Sequence, residues 1–316
     1  MSEGLRKKAT KVLEEAKNVV YGQDGMLEGI LCALVCEGHL LIEGMPGLGK
    51  TLSVSTMSRL CHLNFNRVQF TPDLLPSDLV GTMVYSQQKE EFTTKFGPIF
   101  TQILLADEIN RSPAKVQSAL LEAMAERQVT IGEESHKLSP PFVVLATQNP
   151  IDQEGTYPLP EAQMDRFMTK IHIDYPSFEA EKKVLDLKMA SLDKFTPILS
   201  TDDILEIKAF VDELYVDEKI KDLIVRVTHA TRPDNVEFVK KYKGAILAGV
   251  SPRASIWLYR IAKFKAFMKG RDFVSPEDII EIAPDVLGHR ILLTYEATID
   301  NLDGRQIASD IVGKVV

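Results

Sequence analysis

Two patterns of apolar and polar residues divide the chain. Up to about residue 176, short apolar runs alternate with helical patterns, which is typical of a parallel sheet flanked by helices. Beyond Tyr175-Pro176-Ser177 the apolar residues recur almost wholly at helical spacing. We therefore predict an αβα domain over residues 1–176 and a smaller all-α domain over residues 177–316.

Five apolar runs of strand length mark the predicted parallel sheet. They cover residues 39–43, 68–70, 103–107, 142–147 and 170–174. Helices are predicted at 24–35, at 51–60 and after Pro113, where Ser112 suits the N-cap and Pro113 the first helical position. Residues 128–131 and 136–138 flank a polar turn and predict a hairpin, and a second excursion surrounds 83–85 and 91–93. Later helix starts are indicated at Ser177, Ser200, Asp217, Ser251 and Ser275.

Composition narrows the class of protein. The net charge is −8 over 316 residues, so no global basic field would attract nucleic acid or an anionic membrane. The N-terminal residues are amphipathic rather than signal-like, and the apolar runs are too short to span a bilayer, so we expect a soluble, cytoplasmic protein. The cysteines number three, and Cys32 and Cys36 fall on one face of a predicted helix. We interpret them as buried thiols, with a redox role as the minor alternative.

A glycine-rich loop is the most specific chemical signal. Residues 44–51 fit the pattern Gly, four residues, Gly-Lys-Thr, between a predicted strand and a predicted helix. Such glycines let backbone N–H groups turn onto phosphate oxygens, and the helix that follows adds its N-terminal dipole. Lys50 would face the outer phosphates, and the Thr51 hydroxyl would bind magnesium. The predicted cofactor contacts are Met45, Pro46, Gly47, Leu48, Gly49, Lys50, Thr51 and Leu52.

Polar side chains follow the third and fourth predicted strands. Asp107 ends a buried run, where Mg²⁺ needs a second protein ligand, and Glu108 could act as general base toward water. Asn149 follows the next run and could orient the water or sense the terminal phosphate, although Asn-Pro alone is a turn signal. Arg166 precedes the fifth run, and Arg253 begins a helix of the second domain. A guanidinium stabilises phosphoryl-transfer charge, but each arginine taken alone fits a surface ion pair.

The order of these elements resembles that in the AAA+ ATPases. The amino-acid sequence of several segments is close to that of the MoxR family within them. The matching segments are 44–51, 70–78, 107–111, 117–124, 146–150, 153–167 and 251–254. The resemblance implies a five-stranded αβα P-loop domain with a helical lid, an insertion in the second helix and a hairpin before the sensor strand. It makes Asn149 sensor 1, Arg253 sensor 2 from the lid, and Arg166 the finger that reaches the nucleotide of a neighbouring subunit. Val20, Tyr21 and Gly22 match the segment that lies against adenine.

The resemblance also carries expectations about assembly and activity. It implies an ATP- and Mg²⁺-dependent ATPase that forms a homo-oligomeric ring, typically a hexamer. Family members are viewed as chaperone-like proteins that assist metal-centre insertion or complex assembly, commonly with a partner that carries a von Willebrand factor A domain. Two other classes of protein stay open. One is a motor that resembles magnesium chelatase or acts on nucleic acid, and the other is a nucleotide-gated binding module or a phosphotransferase. The acidic balance and the hairpin turn Glu133-Glu134 argue against nucleic acid.

Overall fold

The computed structural model describes residues 2–88, 90–150, 157–186, 195–235 and 240–316. The chain divides into two compact units. The unit that we call the sheet unit contains Lys8–Pro160 and Ile171–Ile204, and the helical unit contains the residues up to Lys7 together with Glu161–Lys170 and Leu205–Val316. Residue 176, near which we predicted one domain boundary, thus lies inside a segment that packs with the sheet unit.

Within the described residues, the strands belong to one large sheet and three small ones. They are β1 (Leu40–Gly44), β2 (Phe65–Gln69), β3 (Gly81–Ser86), β4 (Glu91–Phe96), β5 (Ile103–Asp107), β6 (Gln128–Ile131), β7 (Glu134–Lys137), β8 (Val143–Gln148), β9 (Thr169–Ile173), β10 (Ile246–Ala248) and β11 (Leu292–Leu293). The large sheet has five strands in the order β2-β5-β8-β1-β9, and the recorded pairs are parallel. The predicted five-stranded parallel sheet is confirmed.

Burial explains which strand bounds the sequence predicts well. The side chains of β5 from Ile103 to Ala106 are buried, as are Leu40, Leu41 and Ile42 of β1, because helices cover both faces of a parallel sheet. β2 lies at the edge, and only Val68 of its five residues is buried. The predicted run at 68–70 therefore misses the half-exposed beginning of this strand, which starts at Phe65.

The helices are α1 (Ser2–Lys17), α2 (Asp24–Cys36), α3 (Lys50–Leu60), α4 (Pro76–Val80), α5 (Ala114–Glu126), α6 (Glu161–Met164), α7 (Phe178–Leu185), α8 (Thr201–Glu213), α9 (Glu218–Ala230), α10 (Pro252–Met268), α11 (Pro276–Leu287), α12 (Tyr295–Ile299) and α13 (Gly304–Val315). α2 packs against α3, β1 and β8, and α3 packs against β5. None of the helices in the described ranges is long and apolar enough to cross a bilayer.

The start of α5 differs from our prediction. Pro113 occupies the N-cap rather than the first helical position, with ψ of 152°. The Ser112 hydroxyl, which we expected to cap this helix, instead donates to the carbonyl of Ile109 at 3.2 Å. A short 3₁₀ turn at Ile109–Arg111 brings that carbonyl within reach of the hydroxyl, so local geometry overrides the capping preference.

Both predicted excursions of the sheet unit are antiparallel hairpins. β6 pairs with β7 across the turn at Gly132, and β3 pairs with β4 from Gly81↔Phe96 to Ser86↔Glu91. The β3–β4 hairpin carries exposed large apolar side chains. They are Met83, Val84, Tyr85, Phe92 and Phe96.

The helical unit is a bundle in which α9, α10, α11 and α13 pack against one another. Its core includes the fully buried Leu258, Phe264, Val286 and Ile311. The predicted helix starts at Asp217 and Ser251 are confirmed, because each side chain accepts a backbone N–H of its own first turn. Ser275 and Asp278 form a capping box at the start of α11.

Candidate active site

The glycine-rich loop joins β1 to α3. Gly47 and Gly49 have φ of +84° and +78°, a backbone region that side-chain-bearing residues rarely adopt, so the turn depends on glycine at both positions. α3 begins at Lys50, so the N–H groups of its first turn open onto the loop. The Lys50 ammonium donates to the carbonyl of Gly44 at 2.5 Å. Burial lowers the pKa of Lys50, and the carboxylates of Asp107, Glu108 and Glu43 oppose that shift.

A cavity of about 390 Å³ lies over this loop. Its lining brings together residues from the loop, from α3 and from the ends of three strands. They are Pro46, Gly47, Gly49, Lys50, Thr51, Leu52, Arg67, Gln69, Asp107, Glu108 and Asn149. Met45 and Leu48 belong to the same loop but lie outside this lining. The carboxyl ends of neighbouring parallel strands meet at one edge of the sheet, which is why Asp107 and Asn149 share the cavity.

Both carboxylate oxygens of Asp107 accept hydrogen bonds. Oδ1 accepts the Thr147 hydroxyl at 2.5 Å, and Oδ2 accepts two N–H groups of Arg67, from Nη2 at 2.6 Å and from Nε at 3.1 Å. Thr147 lies in β8, directly beside β5, and Arg67 lies in β2 on the other side. The strand carrying Asp107 is therefore fixed from both neighbours.

Glu108 leaves the sheet with a left-handed backbone at φ 55°. Such a conformation costs on the order of 1 kcal/mol or more and persists where the surroundings fix it. Here the Glu108 N–H donates to the Thr147 hydroxyl at 2.8 Å. Its carboxylate oxygen Oε2 accepts Gln69 Nε2 at 2.8 Å and Arg111 Nη1 at 3.1 Å. The side chain expected to act on water is thus held by two donors.

A second cavity, of about 570 Å³, opens beside Tyr21 and Gly22. The Lys183 ammonium lies 5.8 Å from the centre of the Tyr21 ring. Gly22 has φ of +76°, and a Cβ there would meet the side chains of Ala180 and Pro176 at 3.2 and 3.3 Å. Two of the three predicted adenine contacts line this cavity, whereas Val20 is buried and is not part of its lining.

In the helical unit, Asp165 connects the segment that bears one predicted arginine with the side chain of the other. Arg166 follows α6, and its backbone N–H donates to the carbonyl of Gln163 at 3.2 Å. The carboxylate of its neighbour Asp165 accepts Nη1 of Arg253 at 3.2 Å and Nε of Arg290 at 2.9 Å, and the Asp165 backbone carbonyl accepts Nη2 of Arg290 at 3.0 Å. Arg253 stands at the first turn of α10 behind the Ser251 cap. Asp165 is therefore adjacent to one predicted arginine in sequence and paired with the other in space.

Comparisons with known proteins agree with this geometry. Residues 39–169 match the model of the ATPase family associated with various cellular activities (AAA), and residues 243–311 match an AAA lid domain. The chain is 46% identical to the chaperone MoxR1 of Mycobacterium tuberculosis over 292 residues, which cover 92% of this chain and 78% of that protein. The chain belongs to the MoxR family of AAA+ ATPases. It is also 28% identical to the protein MoxR of Methylorubrum extorquens, over 91% of this chain and 88% of that one.

A solved structure extends the likeness to the whole chain. The crystal structure of a candidate ATPase from Cytophaga hutchinsonii superposes with a TM-score of 0.92 at 49% identity, covering 100% of this chain and 96% of that one. A MoxR-family AAA+ protein with this fold is an ATPase, and the expectation of that activity is confirmed. Residues 153–156 of the longest segment that carried the MoxR resemblance lie outside the described residues.

The oxygen donors of this MoxR-family site fit magnesium. Thr51 and Asp107 line one cavity with Lys50 and present a hydroxyl and a carboxylate, the hard oxygen ligands that Mg²⁺ takes in proteins. Within the described ranges, no group of three or more His, Cys, Asp or Glu side chains could hold a metal ion. Mg²⁺ at nucleotide sites is commonly bound by few protein ligands together with phosphates and water.

Sequence reasoning missed three residues of this MoxR site. Arg67 and Gln69 lie two positions apart on β2, so both side chains point to the same face, and Gln69 pairs in register with Asp107. Two polar residues at that spacing, in a strand next to the one bearing Asp107, were the available signal. Thr147 is buried in β8 and bonds both Asp107 and the backbone of Glu108. Its partners lie 39 and 40 positions away, which no local pattern reveals.

Proposed function

We propose that this MoxR-family ATPase hydrolyses Mg-ATP at a site shared between subunits, and that it uses the cycle to remodel, assemble or activate partner proteins. The observation that carries the proposal is the convergence of Lys50, Asp107 and Glu108 on one cavity above a phosphate-binding turn. Lys50 supplies positive charge toward the outer phosphates, and Thr51 and Asp107 would hold Mg²⁺. The bound ion would neutralise charge that develops on the phosphate oxygens.

Glu108 and Asn149 divide the work on the attacking water in this proposal. Glu108 would accept a proton from the water as general base, for which its carboxylate must lie within hydrogen-bond reach of the water. Asn149 lines the same cavity and offers an uncharged amide that can orient the water without competing for its proton. Tyr21 and Gly22 would form the wall on the adenine side, supported by the buried Val20, with the loop residues from Met45 to Leu52 around the phosphates.

Two arginines complete the proposed site. Arg253 would act as the lid sensor of the nucleotide bound by its own subunit. Arg166 would act as the finger for the neighbouring subunit, which makes a closed ring, a hexamer in this proposal, the working form. A planar guanidinium is suited to both tasks because it spreads positive charge over several N–H donors.

Mixing inactive subunits tests the shared site. Lys50→Ala subunits lose their own phosphate contact but keep Arg166, whereas Arg166→Ala subunits keep an intact loop. A mixture should recover ATPase activity well above either variant alone, because intact loops then meet intact fingers. Circular dichroism and native mass spectrometry would verify that both variants fold and assemble. If folded, assembled mixtures stay as inactive as their components, the shared site is wrong.

The exposed β3–β4 hairpin supports the proposal that the molecule remodelled by this ATPase is a protein. Its apolar side chains, among them Tyr85 and Phe92, face solvent, and exposed apolar patches of this kind mark interaction surfaces. A partner that carries a von Willebrand factor A domain, and a role in metal-centre insertion or complex maturation, belong to the same proposal. Glu108→Gln should trap the ATP state, so clients should be enriched on this variant over wild type and over Lys50→Ala. No enrichment would count against remodelling.

The alternative of a nucleic-acid motor makes an opposite prediction. If bases of single-stranded DNA stacked on Tyr85 and Phe92, the DNA should stimulate ATPase activity, and its binding should weaken steeply as the salt concentration rises. The net charge of −8 opposes such binding. We therefore expect no DNA stimulation at 0.15 M salt, measured by phosphate release with and without oligonucleotide, and a salt-sensitive stimulation would favour the alternative.

A further inference from the structure

The Arg290 side chain directs four of its five hydrogen bonds to the segment around Arg166. Nε donates to Asp165 Oδ1 at 2.9 Å. Nη2 donates to the carbonyls of Asp165, at 3.0 Å, and of Phe167, and Nη1 donates to the carbonyls of Met168, at 3.2 Å, and of Val286. A guanidinium has five N–H donors, so none is left over. Arg290 is only 1% exposed, and burial lowers its pKa to about 10, which leaves it charged at neutral pH.

This arrangement fixes the backbone on both sides of Arg166. The carbonyl before it and the carbonyl after it both bind the same guanidinium, and His289 Nε2 lies 3.3 Å from the carbonyl of Phe167. The Phe167 side chain is fully buried. The position from which Arg166 extends is therefore set by the end of α11 and the turn after it, more than a hundred residues further along the chain.

Asp165 links that anchored segment to Arg253. Its carboxylate accepts Arg290 on Oδ1 and Arg253 on Oδ2, and the Ser251 hydroxyl lies 3.0 and 2.9 Å from its two oxygens. The two arginines that share Asp165 differ sharply, since Arg253 is 54% exposed. Arg290 is a fixed partner, whereas Arg253 can leave Asp165 without uncovering a buried charge. One carboxylate thus joins a permanent anchor and a releasable contact.

We propose that Asp165 couples the nucleotide state of a subunit to the finger that the same subunit offers to its neighbour. Without nucleotide, Arg253 binds Asp165 and holds the Arg166 segment in its present position. When ATP draws Arg253 to its phosphates, Asp165 keeps only Arg290 and Ser251, so the backbone around Arg166 stays anchored while the Arg166 side chain, no longer next to the Arg253 charge, turns to engage the neighbouring subunit. This inference rests on the roles proposed above for Arg166 and Arg253. Arg290 and Asp165 are positioning residues in it and touch no substrate.

The coupling is measured with two donors and one reporter, all full-length chains. The reporter is Arg166→Ala, which contributes an intact loop but no finger. One donor is Lys50→Ala, whose own loop stays empty, and the other is Glu108→Gln, whose loop holds ATP without hydrolysing it. Both donors keep Arg166. At saturating ATP and excess donor, the reporter should turn over at least about fivefold faster with the ATP-loaded donor, the lower range of measured coupling between sites.

Two further changes in the donors separate coupling from folding. Asp165→Asn removes the charge that Arg253 and Arg290 share, and Arg253→Gln removes only the exposed partner and leaves the buried pair intact. With either change, the loaded and empty donors should differ by less than about twofold, since the releasable contact is gone. Fluorescent nucleotide binding would verify that the Glu108→Gln donors remain loaded. Lys241→Gln, which breaks an exposed pair with Asp310 in the same unit, should preserve the difference.

The outcomes distinguish this inference from the shared site itself. If neither donor restores reporter activity, the proposed finger is wrong and the coupling falls with it. If both donors restore activity equally, the shared site stands and the coupling is overturned. A loaded-to-empty difference that survives both Asp165→Asn and Arg253→Gln in folded, assembled rings would also overturn it, because the signal would then travel by another route.

Discussion

The Arg67 guanidinium pairs with the Asp107 carboxylate across neighbouring strands, with Nη2 2.6 Å and Nε 3.1 Å from the same oxygen, Oδ2. Asp107 is the carboxylate that we propose as magnesium ligand. The Arg67 guanidinium therefore occupies the carboxylate that the magnesium ion would bind. Because the Arg67 side chain is 48% exposed, this contact is weak enough to be displaced.

Substitution of Arg67 should strengthen magnesium binding and weaken the binding of magnesium-free ATP. In Arg67→Gln, Asp107 is no longer shared, so the Mg²⁺ concentration that half-saturates ATPase activity should fall about two- to fivefold, as expected for a half-exposed ion pair. Binding of magnesium-free ATP should weaken by a similar factor, because the cavity loses a cation. Magnesium titrations of phosphate release and of fluorescent nucleotide binding measure the two effects separately.

Arg127→Gln provides a matched control for that experiment. Arg127 also forms an ion pair with a carboxylate of the sheet unit, to Glu37 at 2.7 Å, but it lies outside the lining of the phosphate cavity. Its magnesium dependence should equal that of the wild type. An unchanged magnesium requirement in Arg67→Gln would show that Arg67 does not compete for Asp107.

Gln69 should restrain Glu108 in the nucleotide-free protein. Its amide donates to Glu108 Oε2 at 2.8 Å and so occupies an acceptor site of the oxygen that would accept the hydrogen of a water molecule. In Gln69→Ala, only Arg111 remains on that oxygen, so basal ATPase activity should rise about two- to fivefold in kcat. Gln306→Ala, which removes a comparable bond to Asp310 in the helical unit, should leave kcat unchanged. A lower kcat in Gln69→Ala would mean that Gln69 positions Glu108 rather than restrains it.

The sequence predicted the parts of the site whose signal is local. β5 has the predicted bounds because its apolar run is continuous and ends at a charge, and the loop from Gly44 to Thr51 carries its chemistry in consecutive residues. Arg67 escaped notice because the edge strand that bears it is half exposed and its partner is 40 residues distant. Arg290 escaped for another reason: four of its five acceptors are backbone carbonyls, which have no sequence signature. Residues whose role depends on a partner distant in sequence could therefore not be predicted from the residue type alone.

Substitution of the buried Asp278 should destabilise the helical unit strongly. Its side chain is 0% exposed and accepts Arg271 at 2.5 Å, Lys269 at 3.1 Å and the Ser275 N–H at 3.0 Å. Burial raises its pKa, but these donors outweigh burial and hold the pKa below its ordinary value. Asp278→Asn should therefore lower the free energy of unfolding by roughly 2–4 kcal/mol, measured by urea titration, because Arg271 loses its buried counter-charge.

Glu281 gives the comparison that isolates burial. It pairs with the same Lys269, at 2.7 Å, and with Lys265 at 2.7 Å, but its side chain is 45% exposed. Glu281→Gln should change the free energy of unfolding by less than about 1 kcal/mol. Equal losses in the two variants would contradict the importance that we give to the buried position.

His39 should make stability depend on pH between about 4 and 6.5. Its Nδ1 accepts the Val144 N–H at 3.0 Å, and its Nε2 lies 3.2 Å from the carbonyl of Met124, so the folded ring is neutral with the proton on Nε2. Protonation would make Nδ1 a donor that faces the Val144 N–H donor, and the hydrogen bond between them would be lost. Burial lowers the pKa of His39 to about 4, whereas the unfolded chain takes up the proton near pH 6.5.

Because the unfolded state binds the proton first, stability is complete above about pH 6.5 and falls as the pH drops toward 4, by roughly 3 kcal/mol from this residue. The buried His289, whose pKa is also lowered, acts in the same direction, so a substitution is needed to separate them. His39→Gln should be less stable than wild type at pH 7.5, since the ring bridges β8 and the end of α5. It should lose less stability on acidification, and the difference between the two proteins should shrink steadily from pH 6.5 to 4.5 in urea unfolding. A constant difference over that range would show that His39 does not titrate between the folded and unfolded states.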